Sequence, residues 1–267
     1  MAFLFSGLYK AIPDIALYLK RIDYHGDQRP TLDNLKELIR KNLTHIPYGN
    51  LDFYRNQNCP SLAIPEIYEK IILKRGCGAC FEINLIFFSL LQSLGYDLFP
   101  VIVKCLFGST DPVVPTHCAA IVTIDDIRYY VDVGLGLPSP VVPVALNESS
   151  DWQPEAISSH YYSYKMRQKG NTILLEGYNG DKRMSMVSFV AQPVELVDFI
   201  PLNYYACMAE TSPVTQGIIV EIFRDNGSAY IVKDQLTISS DDKVENKQLG
   251  SDDELNTVLW EVFGIKI

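Results

Sequence analysis

Apolar residues recur at two different periods along this 267-residue chain, and the change of period divides it. Residues 74–95, KRGCGACFEINLIFFSLLQSLG, carry the clearest helical pattern. Leu85, Phe88, Leu91 and Leu94 repeat at three-residue steps, and Ile86 and Phe87 broaden the stripe into the face of a buried amphipathic helix. Gly95 stands where a left-handed C-terminal cap belongs. Upstream, residues 14–21 and 31–46 read as helices, the second with Leu32, Leu35, Leu38 and Ile39 on one side and Pro47 as its stop. Pro65 opens a short third helix over 66–73, so the first third is mostly helical.

After Gly95 the period drops to two. Residues 96–107 are β-branched and aromatic, and residues 117–134 read as two strands around Asp125–Asp126. Strand-like runs follow at 161–165, 172–175 and 184–190, with Pro and Gly between them, which suggests a compact barrel or sandwich. The last stretch mixes a strand pair, 218–223 and 229–232, with a closing helix at 252–263. Between them the acidic run SSDDKVENKQLGSDDE reads as a solvated connector.

Composition narrows the function classes. Apolar residues are 48% and charged residues 21%, a globular balance, and no apolar run reaches the length of a membrane span. The apolar start, MAFLFSGLYKAIPD, has neither a basic leader nor a small-residue cleavage site, so no signal peptide is expected. A formal net charge of −9 argues against nucleic acid as partner and for a cytoplasmic protein. Six cysteines (Cys59, Cys77, Cys80, Cys105, Cys118, Cys207) are too scattered for a disulfide framework. Cys77 and Cys80 form a C-x-x-C, but a zinc or redox reading needs a second pair or a preceding thioredoxin-like strand, and neither is present. No metal is expected.

Cys80 falls at the first turn of the 74–95 helix, where unpaired N–H groups and the helix dipole favour a thiolate nucleophile. His117 starts the hairpin whose return strand carries Asp132. A turn with an even number of residues centred on Asp125–Asp126 sets Asp132 opposite Ala119, on the same face as His117 and within reach of its ring. An odd-numbered turn sends Asp132 to the other face, leaving a strand-end histidine and an aspartate with no joint role. Cys, His and Asp together are the parts of an activated thiol.

These residues stand in segments that resemble the arylamine N-acetyltransferases. The family's R-G-G-x-C-F-E-x-N is echoed by Gly76-Cys77-Gly78-Ala79-Cys80-Phe81-Glu82-Ile83-Asn84, and its H…(Y)-V-D-V-G-F-G by His117 with Tyr130-Val131-Asp132-Val133-Gly134-Leu135-Gly136. Weaker echoes run in order along nearly the whole chain: Arg21-Ile22-Asp23-Tyr24, Ile46-Pro47-Tyr48-Gly49-Asn50-Leu51, Pro143, the block Pro193…Asp198-Phe199…Asn203…Thr211-Ser212-Pro213, and Phe263-Gly264-Ile265. The resemblance implies an α+β fold with an N-terminal helical bundle (1–95), a central β-barrel (96–205) and a C-terminal α/β lid (206–267), in a cysteine-protease-like Cys-His-Asp arrangement.

It also implies a ping-pong acyltransferase that uses acetyl-CoA or another acyl-CoA as co-substrate and an arylamine or hydrazine as acceptor. Cys80, His117 and Asp132 would be catalytic, and Leu135, Leu137 and Ser139 would border the acceptor pocket. Two other readings use the same triad: an amide synthase of secondary metabolism, and a thiol hydrolase.

The chain departs from the family pattern at four points. Gly49 replaces a glutamate, Gly76 an arginine, Cys77 a glycine and Leu135 a phenylalanine. Loss of both charges suggests a pair removed together, leaving a looser nucleophile loop. Cys77 is a candidate disulfide partner for Cys80 under oxidation. Leucine for an aromatic removes a stacking surface and favours other amines or bulkier acyl groups.

Overall fold

The computed structural model describes residues 4–147, 153–155, 162–179, 181–240 and 243–266. Helix α1 (Ile15–Arg21) starts where the Asp14 side chain accepts from the Leu17 N–H at 3.0 Å. Helix α2 (Leu32–His45) starts the same way at Thr31 and ends before Pro47. A two-residue strand β1 (Tyr48–Gly49) leads into helix α3 (Leu51–Asn56). Helix α4 (Ile64–Tyr68) has Pro65 in its first turn and widens into a π-turn over Glu69–Leu73, so the helix expected at 66–73 starts slightly earlier and changes pitch.

Helix α5 (Cys80–Ser93) is the centre of the molecule. Every residue from Phe81 to Leu91 is buried, including Glu82, Asn84 and Ser89. The amphipathic reading is thereby corrected: strands and helices enclose this helix on all sides, as an all-round apolar pattern requires. Gly95 caps its end at φ +87.

The sheet strands follow: β2 (Asp97–Cys105), β3 (His117–Ile124), β4 (Ile127–Val131), β5 (Val144–Ala145), β6 (Gln153–Glu155), β7 (Tyr162–Lys169), β8 (Thr172–Tyr178) and β9 (Arg183–Phe189). They form one antiparallel eight-stranded sheet in the order β5-β4-β3-β2-β9-β8-β7-β6, and β5 returns to lie near β7, so the sheet is barrel-like and nearly closed. Of the run expected at 161–165, residue 161 lies outside the described residues. One face of β3 (Cys118, Ala120, Val122) packs on the helices, whereas Ala119 and Ile121 face the barrel core with Val101, Tyr130 and Leu175.

Helix α6 (Phe199–Met208), which the apolar pattern did not reveal, returns to the bundle and sets Phe199 against Phe81 with ring centroids 5.6 Å apart. A second antiparallel sheet comprises β1, β10 (Ile219–Arg224), β11 (Gly227–Val232), β12 (Gln235–Ser240) and β13 (Lys243–Gln248), in the order β1-β10-β11-β12-β13. Helix α7 (Asp252–Glu261) covers it, burying Leu255, Val258 and Leu259 against Val220, Ala229 and Ile231. The expectation of a solvated connector across 239–254 is corrected here. Lys243–Gln248 is an exposed edge strand, and its charges, which look like a loop in sequence, protect an open sheet edge from further pairing.

Candidate functional site

Three elements deliver the site. In the β3–β4 hairpin Ile124 pairs with Ile127 and Ala120 with Val131, and Asp125 and Asp126 both take positive φ (49° and 64°). That is the two-residue turn matching the natural strand twist. The even-turn reading therefore holds, and Asp132 emerges one residue beyond the ladder on the side of His117.

His117 Nε2 lies 2.7 Å from Asp132 Oδ2, and both side chains are buried. With Nε2 committed to the carboxylate, Nδ1 is the ring atom left to exchange a proton with a thiol. Cys80, half-buried at the first position of α5, is the ring's other hydrogen-bonding neighbour. The Cys80 Sγ also points at the Thr116 carbonyl, 3.6 Å away. Burial alone disfavours the imidazolium. The charge and hydrogen bond of Asp132, followed by Cys80, outweigh that and hold His117 up to about 10. Asp132 pays the same burial penalty, yet the charge and hydrogen bond of His117, with those of Asn84 and Tyr130, keep its carboxyl below the usual range.

Two residues that the sequence reading did not assign to the site complete it. The Tyr130 hydroxyl donates to Asp132 Oδ2 at 2.7 Å. Asn84 donates from Nδ2 to Asp132 Oδ1 (3.0 Å) and to the Cys118 carbonyl (2.8 Å), while its Oδ1 accepts from the Val133 N–H (3.0 Å). The Gly134 N–H gives Asp132 Oδ1 a further donor at 2.9 Å. The available signal was spacing. Asn84 follows Cys80 by four residues, so one helix face carries both, and Tyr130 precedes Asp132 by two on a strand. Gly134 is required by close approach: a Cβ there would lie 2.8 Å from the Cys80 carbonyl and 2.9 Å from Asn84 Nδ2.

The loop before Cys80 is not loose. The Gly49 N–H donates to the Gly78 carbonyl at 2.9 Å, and the Gly76 N–H to the Lys70 carbonyl at 2.9 Å. Lys70 bridges Asp52, 2.6 Å away, and Glu82, and Glu82 in turn accepts from the Ala79 N–H at 3.0 Å. Ala79 has no side-chain acceptor, so the cap of α5 rests on Glu82. Burial pushes the Glu82 carboxyl up against the pull of Lys70. A lysine from the preceding π-turn thus supplies a half-buried cation beside the loop that leads to Cys80, in a chain that has glycine at 49 and 76.

Cys77 is buried in the core of the second sheet with Leu51 and Val220, and a Cβ on Gly49 would lie 2.8 Å from its sulfur. Burial pushes its thiol up to about 12. All six cysteines are free, and Cys77 packs in a different core from Cys80.

Of the three residues expected to border the acceptor, Leu135 is buried in the barrel core. Leu137 is half-buried with its N–H on Glu221 Oε2 at 2.7 Å. Ser139 is buried, its hydroxyl on the Pro140 carbonyl and its own carbonyl accepting from the Tyr164 hydroxyl at 3.0 Å. Among the described residues no cluster of His, Cys, Asp and Glu is arranged to hold a metal ion, and no helix is long and apolar enough to cross a membrane.

A family model described as N-acetyltransferase matches residues 31–267. The arylamine N-acetyltransferase of Mycobacterium tuberculosis is 27% identical over 259 residues, covering 95% of this chain and 90% of that one. The proansamycin X synthase of Amycolatopsis mediterranei is 26% identical over 262 residues, covering 93% and 96%. In structure the chain is similar to the Mycobacterium marinum arylamine N-acetyltransferase in complex with CoA, with a TM-score of 0.86 at 24% identity over 95% of this chain and 93% of that one.

Proposed function

The chain belongs to the arylamine N-acetyltransferase family of transferase enzymes, and from that premise we propose that it moves an acetyl or other short acyl group from acyl-CoA to an aromatic amine or hydrazine through an acyl-cysteine. The observation that carries the reading is the buried His117–Asp132 pair set against a cysteine at a helix start. His117 takes the thiol proton on Nδ1 while Asp132 holds the imidazolium through Nε2. The Cys80 sulfur attacks the thioester carbonyl, the C–S bond to coenzyme A breaks, and the departing thiolate takes a proton from His117. An amine then attacks the acyl-cysteine, His117 accepts its proton and returns one to Cys80 as the new amide leaves. The N–H groups of Cys80 and Phe81 have no acceptor within the first turn and are suited to the oxyanion of both intermediates. In this scheme Leu135, Leu137 and Ser139 belong to the loop on the acceptor side.

A second reading, a synthase that forms an amide without needing free coenzyme A, is supported by the similarity to the proansamycin X synthase. One experiment separates the two and tests the first. Intact-protein mass after acetyl-CoA should rise by one acetyl group, return on addition of an arylamine, and stay unchanged in Cys80→Ala. Labelling that persists in Cys80→Ala defeats the nucleophile assignment. A wild-type protein that ignores acyl-CoA but takes an acyl group from a carrier-bound thioester favours the synthase.

A further inference from the structure

Glu221 lies on β10, where the second sheet meets the loop that follows Asp132, and no step above uses it. It pairs with Tyr48 of β1 on one side and Tyr230 of β11 on the other, so the three side chains share a sheet face. Its Oε2 accepts from the Leu137 N–H at 2.7 Å. The approach depends on residue 136 being glycine. Gly136 sits at φ +83, and a Cβ there would collide with the same carboxylate oxygen. The loop is therefore fixed from three sides: the Gly134 N–H on Asp132, the Leu137 N–H on Glu221, and the Ser139 carbonyl under the Tyr164 hydroxyl.

We infer that Glu221 is a positioning residue through which the second sheet sets the shape of loop 135–139 and hence the affinity for the acceptor, an inference that rests on the acyl-transfer reading above. Two observations make the contact more than packing. A carboxylate-to-amide bond is the strong kind of hydrogen bond, and among the described residues it ties β10 directly to this loop. Tyr48, which shares the sheet face with Glu221, is also within electrostatic reach of Cys80, so the face borders the nucleophile.

The ionisable groups around Glu221 are few. Tyr48 faces it from β1 and Tyr230 from β11, while Leu43 of α2, Ile46 just after that helix, and Val133 and Gly136 of the loop bring no charge. With no cation set against it, burial pushes its carboxyl up to about 7, and the Leu137 N–H opposes that only in part. Above that pH the carboxylate grips the loop through a charge-assisted bond; below it the neutral acid accepts more weakly.

The test compares wild type, Glu221→Ala and Glu221→Gln, with acetyl-CoA as donor and a substituted aniline as acceptor. In Glu221→Ala the acceptor KM should rise about tenfold, the size of one lost charge-assisted hydrogen bond, while acetyl-enzyme formation without acceptor stays within about twofold. Glu221→Gln keeps a neutral acceptor oxygen, so its acceptor KM should fall between those of wild type and Glu221→Ala, and the dependence of acceptor kcat/KM on pH near neutrality should flatten. An unchanged KM in Glu221→Ala, or equal slowing of both half-reactions, overturns the inference. Deuterium uptake at residues 135–139 supplies a readout independent of activity. It should be faster in Glu221→Ala than in wild type, and equal uptake overturns the inference as well. If wild type takes no acetyl group at all, the acyl-transfer reading falls, and the uptake comparison alone decides for Glu221.

Discussion

The imidazole of His117 and the carboxylate of Asp132 meet at 2.7 Å in a space closed to solvent, and every acceptor site of that carboxylate is occupied. Oδ2 takes His117 and Tyr130, and Oδ1 takes Asn84 and the Gly134 N–H. A carboxylate with four donors is held in one orientation, and so is the ring it carries.

Removing that charge should cost both activity and stability. Asp132→Asn leaves a similar shape but no anion to support the imidazolium, and acetyl transfer should fall by about 10²- to 10⁴-fold in kcat/KM. Steady-state rates across an arylamine series check it. A loss of less than tenfold would show that His117 works without its partner.

The same pair makes stability depend on pH, and the two shifts define the window. The pKa of His117 is raised in the fold from 6.5 to about 10, so its contribution is full below about pH 6.5 and fades as pH climbs through 10. That of Asp132 is lowered from 3.8, so its contribution is present above that value and is lost as acid protonates it. Denaturant unfolding should therefore show wild type furthest above Asp132→Asn near pH 5–6, by about 3–5 kcal/mol, with the gap narrowing towards pH 10. A constant gap would mean that the pair is not ionised.

Asn84→Ala removes the link between α5 and the Asp132 loop. It strips donors from Asp132 and the Cys118 carbonyl and leaves the Val133 N–H without its acceptor. Each stranded buried group costs about 1–3 kcal/mol, so a total loss of several kcal/mol is expected in chemical denaturation. Asn84→Asp should be worse than Asn84→Ala, since it sets a second carboxylate beside Asp132.

Lys70 tests what secures the loop before Cys80. Lys70→Met leaves Glu82 buried without its counter-charge and should destabilise by about 3–5 kcal/mol, whereas Lys70→Met with Glu82→Gln should recover much of the loss. A double-mutant cycle measures the coupling, and strict additivity would exclude it. Gly49→Glu, by contrast, should be disruptive whatever stands at 76, because even its Cβ meets the Cys77 sulfur at 2.8 Å.

Gly134→Ala should keep the fold and lose the chemistry. Its methyl group has to displace the Cys80 carbonyl or Asn84, a strain of about 1–3 kcal/mol at the point where the start of α5 meets the Asp132 loop. Melting temperature and acetyl-enzyme formation, measured together, separate the two effects.

The sequence by itself determined what depends on near neighbours. Period-three spacing from Leu85 to Leu94 fixed α5, and Asp14, Thr31 and Gly95 fixed helix ends. The turn at Asp125–Asp126 is legible as well, but the sequence leaves its even or odd length open, and only the pairing of Ile124 with Ile127 decided that Asp132 approaches His117. Each of these follows from backbone geometry over a few residues. Tertiary structure decided the rest. Only packing on all sides made α5 a central helix rather than a surface one, and only the partner strand made an edge strand of Lys243–Gln248, since charge alone reads as a loop. The same holds for the site. Glu82 and Lys70 stand 12 positions apart, and Leu137 and Glu221 stand 84 apart, with no local spacing rule to join them. Their pairing comes from a sheet and a bundle closing on one loop, where burial leaves each polar group only the partner that the fold has placed beside it.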